Sequence, residues 1–201
     1  MNYDKELIAR KMLRWEKFLV AYQLPQWEEL PDFGLYMDQV ITLLNQHLYY
    51  LPQEDHGEEL VTPTAINNYV RLKIMPAPEK KRYRRIHLAY LFMICTLKQT
   101  VTIAQVQKII PVELEEAEIK ELYSNYVARH AEVGQRFIEN IYHCAGPILD
   151  ADDTVEGATV ENMVAGMVLM SGYYRLLAEK IISLKGYTAA EVIDGQPLPE
   201  K

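Results

Sequence analysis

Residues 62–87 read TPTAINNYVRLKIMPAPEKKRYRRIH, and this stretch indicates the fold more clearly than any other part of the chain. It holds seven Lys or Arg residues and a single acid, Glu79, which gives a local charge of +6. The whole chain of 201 residues has a formal charge of −7, so the remainder carries −13. A short basic island (residues 62–87) in an otherwise acidic protein indicates a surface that binds a polyanion.

The basic island also has the pattern of two helices separated by a tight loop. Thr62 followed by Pro63 is a helix start, because a hydroxyl N-cap and a proline at the first helical position both favour initiation. Pro76 and Pro78 cannot continue that helix. We therefore expect a helix from Thr62, a short basic loop over residues 76–82, and a new helix from Ile86.

Outside the basic island, apolar residues recur at spacings of three and four, which predicts amphipathic helices. We expect helices over residues 3–23, from about 35 to Pro52, from Thr102 to Pro111, and two long ones over 115–145 and 159–185. No segment alternates with period two, so the predicted class is all-α, with at most a small β-wing near residues 76–84. We divide the chain into residues 1–112 and a helical oligomerisation or effector-sensing region, 113–201.

The segment from Val61 to Ile110 resembles the DNA-binding domain of mercury-resistance (MerR) type regulators. The resemblance is carried by residues 65–69 (AINNY), 74–76 (IMP), 81–83 (KRY), 86–100 and 102–110. It implies a winged helix-turn-helix in which the helix after Thr62 reads DNA and the basic loop forms the wing. MerR-type proteins usually carry Arg where Asn67 stands and Gly where Lys73 stands.

A wider pattern covers roughly residues 8–112. It combines residues 30–32 (LPD), 35–40 (LYMDQV), 66–70 (INNYV) and 80–83 (KKRY). This pattern looks like a bacterial domain-of-unknown-function family whose members are described as candidate transcription regulators related to the MerR type. The resemblance says little about residues 113–201.

Two sets of side chains are the predicted DNA contacts. Positions 64, 67, 68 and 71 share one side of a helix, and Asn and Arg are side chains that read adenine and guanine. The lysines and arginines of the loop suit phosphate oxygens and the minor groove. The predicted residues are Thr64, Asn67, Asn68, Arg71, Lys73, Lys80, Lys81, Arg82, Arg84 and Arg85. The alternative is an ordinary solvated polar face, and Tyr83 is interpreted as a core aromatic residue.

The last two helices carry a methionine stripe and several tyrosines. Methionine adapts to varied partners, so such a face can receive a ligand, although ordinary helix core is the alternative. We expect a small-molecule effector pocket there, with the effector unidentified. Its predicted lining is Tyr126, Tyr142, Met163, Met167 and Tyr174.

No catalytic or metal-binding motif is found, so neither an enzyme nor a cofactor is predicted. The five histidines are scattered, and adjacent His143 and Cys144 would point about 100° apart on a helix. There is no Gly-rich phosphate loop, H-E-x-x-H or G-x-S-x-G. No apolar run reaches the ~18–20 residues of a membrane span, and no signal region follows Met1, so we expect a cytoplasmic protein without a membrane partner.

These observations predict a transcription regulator that binds double-stranded DNA as a homodimer, held together mainly by residues 113–185. A dimer is expected because one recognition helix rarely supplies enough affinity alone. The alternative function is a protein–protein adaptor of the same fold, whose basic face binds an acidic partner.

Overall fold

The computed structural model describes residues 3–51, 60–149, 160–189 and 191–192, and of residues 5 and 142–149 only the backbone. Within these ranges it has seven α-helices and one 3-10 turn, Trp27–Glu29. The helices are α1 (Lys5–Ala21), α2 (Met37–Leu48), α3 (Pro63–Arg71), α4 (Arg85–Leu97), α5 (Ile103–Ile109), α6 (Glu116–Leu149) and α7 (Val160–Ser183). The described residues form two isolated β-bridges and no strand, which confirms the predicted all-α class.

Helix α4 is the centre of the fold. Every residue from His87 to Cys95 is buried, as expected for a helix that is apolar all round. Helices α2 and α6 pack against it, and the buried cluster runs from Leu24 to Val127. Ile119, Tyr123 and Val127 from the start of α6 belong to this cluster, so the compact unit continues beyond residue 112.

The predicted helix starts are confirmed at two threonines. The Thr62 hydroxyl accepts a hydrogen bond from the Ala65 amide at 3.1 Å, and Thr102 accepts one from the Gln105 amide at 3.3 Å. Both bonds satisfy an amide that has no partner within its helix. One predicted end is wrong: α6 continues through 146–147 to Leu149. Proline removes one backbone hydrogen bond where it stands, but only two residues of α6 follow it, so the helix is disturbed in its last turn alone.

The two outer helices are less buried than the rest. Helix α1 lies along α6, with the rings of Trp15 and Phe137 edge to face at 6.0 Å between centroids. Helix α7 contacts α5 and α6 and leaves much of its apolar surface exposed. Among the described residues, no helix combines the length and the apolar character that a membrane span requires.

Candidate nucleic-acid interface

Helix α3 presents one apolar side and one polar side. Ile66 and Tyr69 are buried in the core, whereas Thr64, Asn67 and Arg71 are exposed. The spacing of 64, 67 and 71 places these three on one side of the helix. The sequence therefore predicted correctly which face of α3 is available to a partner.

Two predicted contact residues on this face bind each other. Arg71 Nη2 donates to Asn68 Oδ1 at 2.7 Å, one turn of helix apart. This bond occupies the Asn68 carbonyl and holds the guanidinium against the helix while leaving its charge in solvent. Arg71 is thus oriented before any partner binds, whereas Asn67 makes no side-chain bond among the described residues.

The end of α3 depends on a strained lysine. The Ile74 amide donates to the Tyr69 carbonyl and the Lys73 amide to the Val70 carbonyl, both at 3.0 Å. These two bonds form a Schellman motif, whose C′ residue must be left-handed and is usually glycine. Here Lys73 adopts φ 55°, so the exposed cation occupies a position where glycine costs less.

The basic loop turns at a second strained pair. The Arg82 amide donates to the Glu79 carbonyl at 2.8 Å, and the two residues between them, Lys80 and Lys81, have φ 47° and 63°. Positive φ at both central positions is the geometry of a type I′ turn, which strongly prefers Asn-Gly. The turn instead projects two exposed lysines with no ion-pair partner among the described residues.

A backbone bridge attaches the loop to the segment before α2. The Leu35 amide donates to the Tyr83 carbonyl at 2.8 Å, and the Tyr83 amide to the Leu35 carbonyl at 2.9 Å. Tyr83 is buried, which confirms its interpretation as a core residue. A Cβ on Gly34 would lie 2.8 Å from Arg82 Cβ, so only glycine allows this close approach.

Three of the predicted phosphate ligands have partners within the protein. Arg82 donates to the Gly34 carbonyl at 3.1 Å and to the Tyr36 hydroxyl at 2.5 Å, and its Cζ lies 3.6 Å from the Tyr36 ring centre. Arg85 Nε donates to the Leu30 carbonyl at 2.9 Å, and Arg84 pairs with Glu79 at 3.1 Å. Arg82 and Arg85 therefore anchor the loop and α4 to the segment before α2.

A buried histidine that the sequence analysis left unassigned holds the other side of the loop. His87 Nδ1 accepts from the Arg84 amide at 3.0 Å, and Nε2 lies 3.2 Å from the Ala77 carbonyl. The neutral tautomer with its proton on Nε2 satisfies both bonds, and burial lowers the pKa of His87 below its usual value. A usable signal was present, because His87 occupies the N3 position, whose side chain can bond the N-cap amide.

A groove of about 520 Å³ joins the two parts of the basic island. Pro63 and Asn67 of α3 form one wall, Pro78 and Lys81 another, and Asp38 at the start of α2 also faces it. The groove thus combines an amide, an ammonium and one carboxylate. Hydrogen-bond groups beside exposed cations are the combination that nucleic acids bind.

Four predicted cations keep an unpaired charge, and one of them, Lys81, lines the groove. No acid within the described ranges forms an ion pair with Arg71, Lys73, Lys80 or Lys81. Arg84 has Glu79 as its partner. The net positive potential of the island is therefore concentrated at the end of α3 and at the tip of the loop.

The residues predicted to form an effector pocket lie on two helices, α6 and α7. Tyr126 packs against α4, where its hydroxyl lies 2.6 Å from Thr96 Oγ1, and burial raises its pKa to about 12. Met163 and Met167 are half-buried on α7, whereas Tyr174 is 66% exposed. The side chain of Tyr142 lies outside the described residues.

The described side chains include no group of three or more His, Cys, Asp or Glu residues that could hold a metal ion. A family model for a domain of unknown function, DUF1836, matches residues 25–126 of the chain. No curated protein and no solved structure matches the chain. The family match nearly coincides with the buried core, which runs from Leu24 to Val127.

Proposed function

The chain belongs to the DUF1836 family, and we propose that it is a transcription regulator that binds double-stranded DNA through α3 and the basic loop. The observation that carries this proposal is the backbone at Lys73, Lys80 and Lys81, where φ is positive. A left-handed conformation costs a residue with a side chain roughly 1–2 kcal/mol. Glycine or asparagine would stabilise all three positions, so retaining cations there is best explained by a use for their charge.

The arrangement of the surrounding elements supports a MerR-like winged helix-turn-helix. Helices α2 and α3 contact each other, and α3 presents Thr64, Asn67 and Arg71 on its exposed side. The bridge between Leu35 and Tyr83 holds the basic loop to the segment before α2, and the groove places the loop across from α3, as a minimal wing would be. In this proposal α3 enters the major groove and the loop lysines contact the flanking phosphates.

Salt dependence tests the proposal directly. Four unpaired cations per chain give about eight phosphate contacts in a dimer, so affinity for a duplex should fall by roughly 10³–10⁵ between about 50 and 200 mM salt. The measurement is fluorescence anisotropy with a labelled pool of random-sequence duplexes. If no duplex binds at the lowest salt, the DNA proposal is wrong, and binding of an acidic protein through the same face becomes the better explanation.

A double substitution separates charge from fold. Lys80→Asn with Lys81→Gly builds the preferred type I′ turn, so it should keep or raise stability while flattening the salt slope by about two phosphate contacts per chain. Arg10→Gln with Lys17→Gln on α1 is the matched control, since it removes the same charge outside the island. Equal loss of affinity in both variants would show that net charge alone, and not the loop, controls binding.

We further propose that α7 pairs with α7 of a second copy. Spacings of four and three alternate through its exposed residues, the heptad pattern of two helices that pack along a seam. The α7 seam is Met170, Tyr174, Leu177 and Ile181, together with Leu184 just after the end of α7, and these residues are between 45% and 66% exposed. Within one chain, no described residue covers this seam, whereas a second copy carries an identical seam that can cover it.

Solution mass tests the dimer. Leu177→Glu with Ile181→Glu should convert a dimer into a monomer in sedimentation equilibrium, because each change places a charge in the seam. Leu169→Glu is the control, since Leu169 is 60% exposed but lies off the seam. A wild-type chain that sediments as a monomer at tens of micromolar would rule the dimer out.

A further inference from the structure

A second cavity lies away from the basic island, between α1 and the end of α2. Its volume is about 490 Å³, within the range of about 300–1,000 Å³ for small-molecule sites. Met12, Trp15 and Phe18 of α1 form one side, and Tyr49 and Tyr50 form the other. The cavity is thus an open groove walled by aromatic rings, since Trp15 is 51% and Tyr49 58% exposed.

The rings form a connected cluster instead of isolated contacts. The Phe18 ring lies 5.4 Å from the Tyr49 ring and 6.3 Å from the Tyr50 ring, measured between centroids. The Tyr50 hydroxyl is held 3.1 Å from His130 Nε2. This bond fixes the orientation of one wall from α6, so the cavity does not depend on α1 alone.

Two cations complete the lining. Lys11 and Arg14 border the cavity, both are exposed, and neither has an ion-pair partner among the described residues. Their neighbour Arg10 instead approaches Glu6, with 3.9 Å between Arg10 Nε and Glu6 Oε1. Positive charge at the edge of an aromatic cavity selects for a ligand with an apolar body and an anionic end.

We propose that this cavity binds a small flat aromatic carboxylate. The ring of the ligand stacks between Trp15, Phe18 and Tyr49, and its carboxylate binds Lys11 and Arg14 at the rim. A neutral ligand of the same shape leaves both cations without a partner. The proposal does not depend on DNA binding, since none of these residues belongs to the basic island.

Calorimetric titration of the full chain with 2-naphthylacetate, and separately with its neutral amide, tests the proposal. We expect the acid to bind about tenfold or more tightly than the amide, because a hydrogen bond to a charged group is worth about that factor. Equal affinity of acid and amide would overturn the proposed role of the cations. No heat from the acid up to about 1 mM would overturn the site itself.

Two pairs of substitutions on one helix locate the binding. Lys11→Gln with Arg14→Gln should reduce the affinity for the acid to that of the amide and leave the amide unaffected. The control pair, Arg10→Gln with Lys17→Gln, removes the same charge from α1 at two residues that do not line the cavity, and it should change the affinity for neither ligand. Trp15→Ala should weaken the binding of the acid and of the amide by the same factor. If the control pair lost as much affinity for the acid as the pair Lys11→Gln with Arg14→Gln, the assignment of the carboxylate to Lys11 and Arg14 would be overturned.

The outcome is independent of the DNA experiment, because no nucleic acid is present in the titration. Acid binding without duplex binding would support the proposed ligand site and contradict the proposed DNA-binding function. Duplex binding without acid binding would do the reverse. The two proposals can therefore fail separately.

Discussion

Replacing Lys73 with glycine should stabilise the protein and weaken its binding to DNA. Lys73 has φ 55°, at the position of the Schellman motif where glycine is usual. Relief of the left-handed conformation gains about 1–2 kcal/mol, and the greater freedom of glycine in the unfolded chain costs about 0.5–1 kcal/mol. The expected net gain is therefore about 0–1.5 kcal/mol in the free energy of unfolding.

Lys73→Ala is the matched comparison, because alanine loses the same charge but keeps the strained φ. Urea denaturation followed by circular dichroism, at one fixed protein concentration, measures both variants against wild type. Glycine should exceed alanine by about 1 kcal/mol, or about 2–4 °C in Tm for a chain of this length. A glycine variant no more stable than the alanine variant would refute the argument from strain.

DNA binding completes the comparison. Both variants lose one cation per chain, so both should lower the salt slope by about 0.9 per chain, although one is stabilised and the other is not. The backbone bonds that end α3, from the Ile74 and Lys73 amides, remain in both. If Lys73→Gly bound DNA as tightly as wild type, Lys73 would not contact phosphate.

Two further perturbations address the supports of the basic loop. His87 is buried and its pKa is lowered by burial. Below about pH 6.5 the imidazole of His87 is therefore more protonated in the unfolded chain than in the folded one. The free energy of unfolding should therefore fall as pH drops through that value. His87→Gln should reduce the slope of this fall by at most about 1.4 kcal/mol per pH unit. If the free energy of unfolding, measured by denaturation at pH 5–7, fell in parallel for wild type and variant, this prediction would be contradicted. Gly34→Ala should lower the free energy of unfolding by about 1–3 kcal/mol, because the new Cβ would lie 2.8 Å from Arg82 Cβ. Gly134→Ala on α6 is the control, since its Cβ meets nothing within 4 Å, and it should be stabilising. Thermal melts in which the Gly34 variant is the more stable of the two would contradict the packing argument.

The helices were predictable because their signals are local. Thr62 with Pro63 starts α3, Pro76 and Pro78 follow its end, and the continuous apolar run of α4 indicates burial. Each of these signals acts through the backbone of neighbouring residues, so the sequence alone contains it.

The roles of individual cations were not predictable in the same way. In the sequence, Arg82 and Arg85 look like Lys80 and Lys81, members of one charge run. Their partners, the Gly34 and Leu30 carbonyls, are distant in the chain and come close only when the segment before α2 packs on α4. The turn at Lys80 and Lys81 was also hidden, because a type I′ turn is normally indicated by Asn and Gly.

The position of these features along the chain separates two parts of the proposed function. The DUF1836 match covers residues 25–126, and the basic island with its supporting His87 lies within it. The α7 seam lies beyond that range, and α1, which forms most of the second cavity, precedes it. Contact with phosphate can therefore be a property of the domain itself, since the backbone that positions the unpaired cations of the island is bonded inside the domain. The spacing of two such domains and any response to a small acid would then depend on α7 and α1, so substitutions in the seam should reduce the affinity of the assembly for paired sites while leaving the phosphate contacts of each chain unchanged.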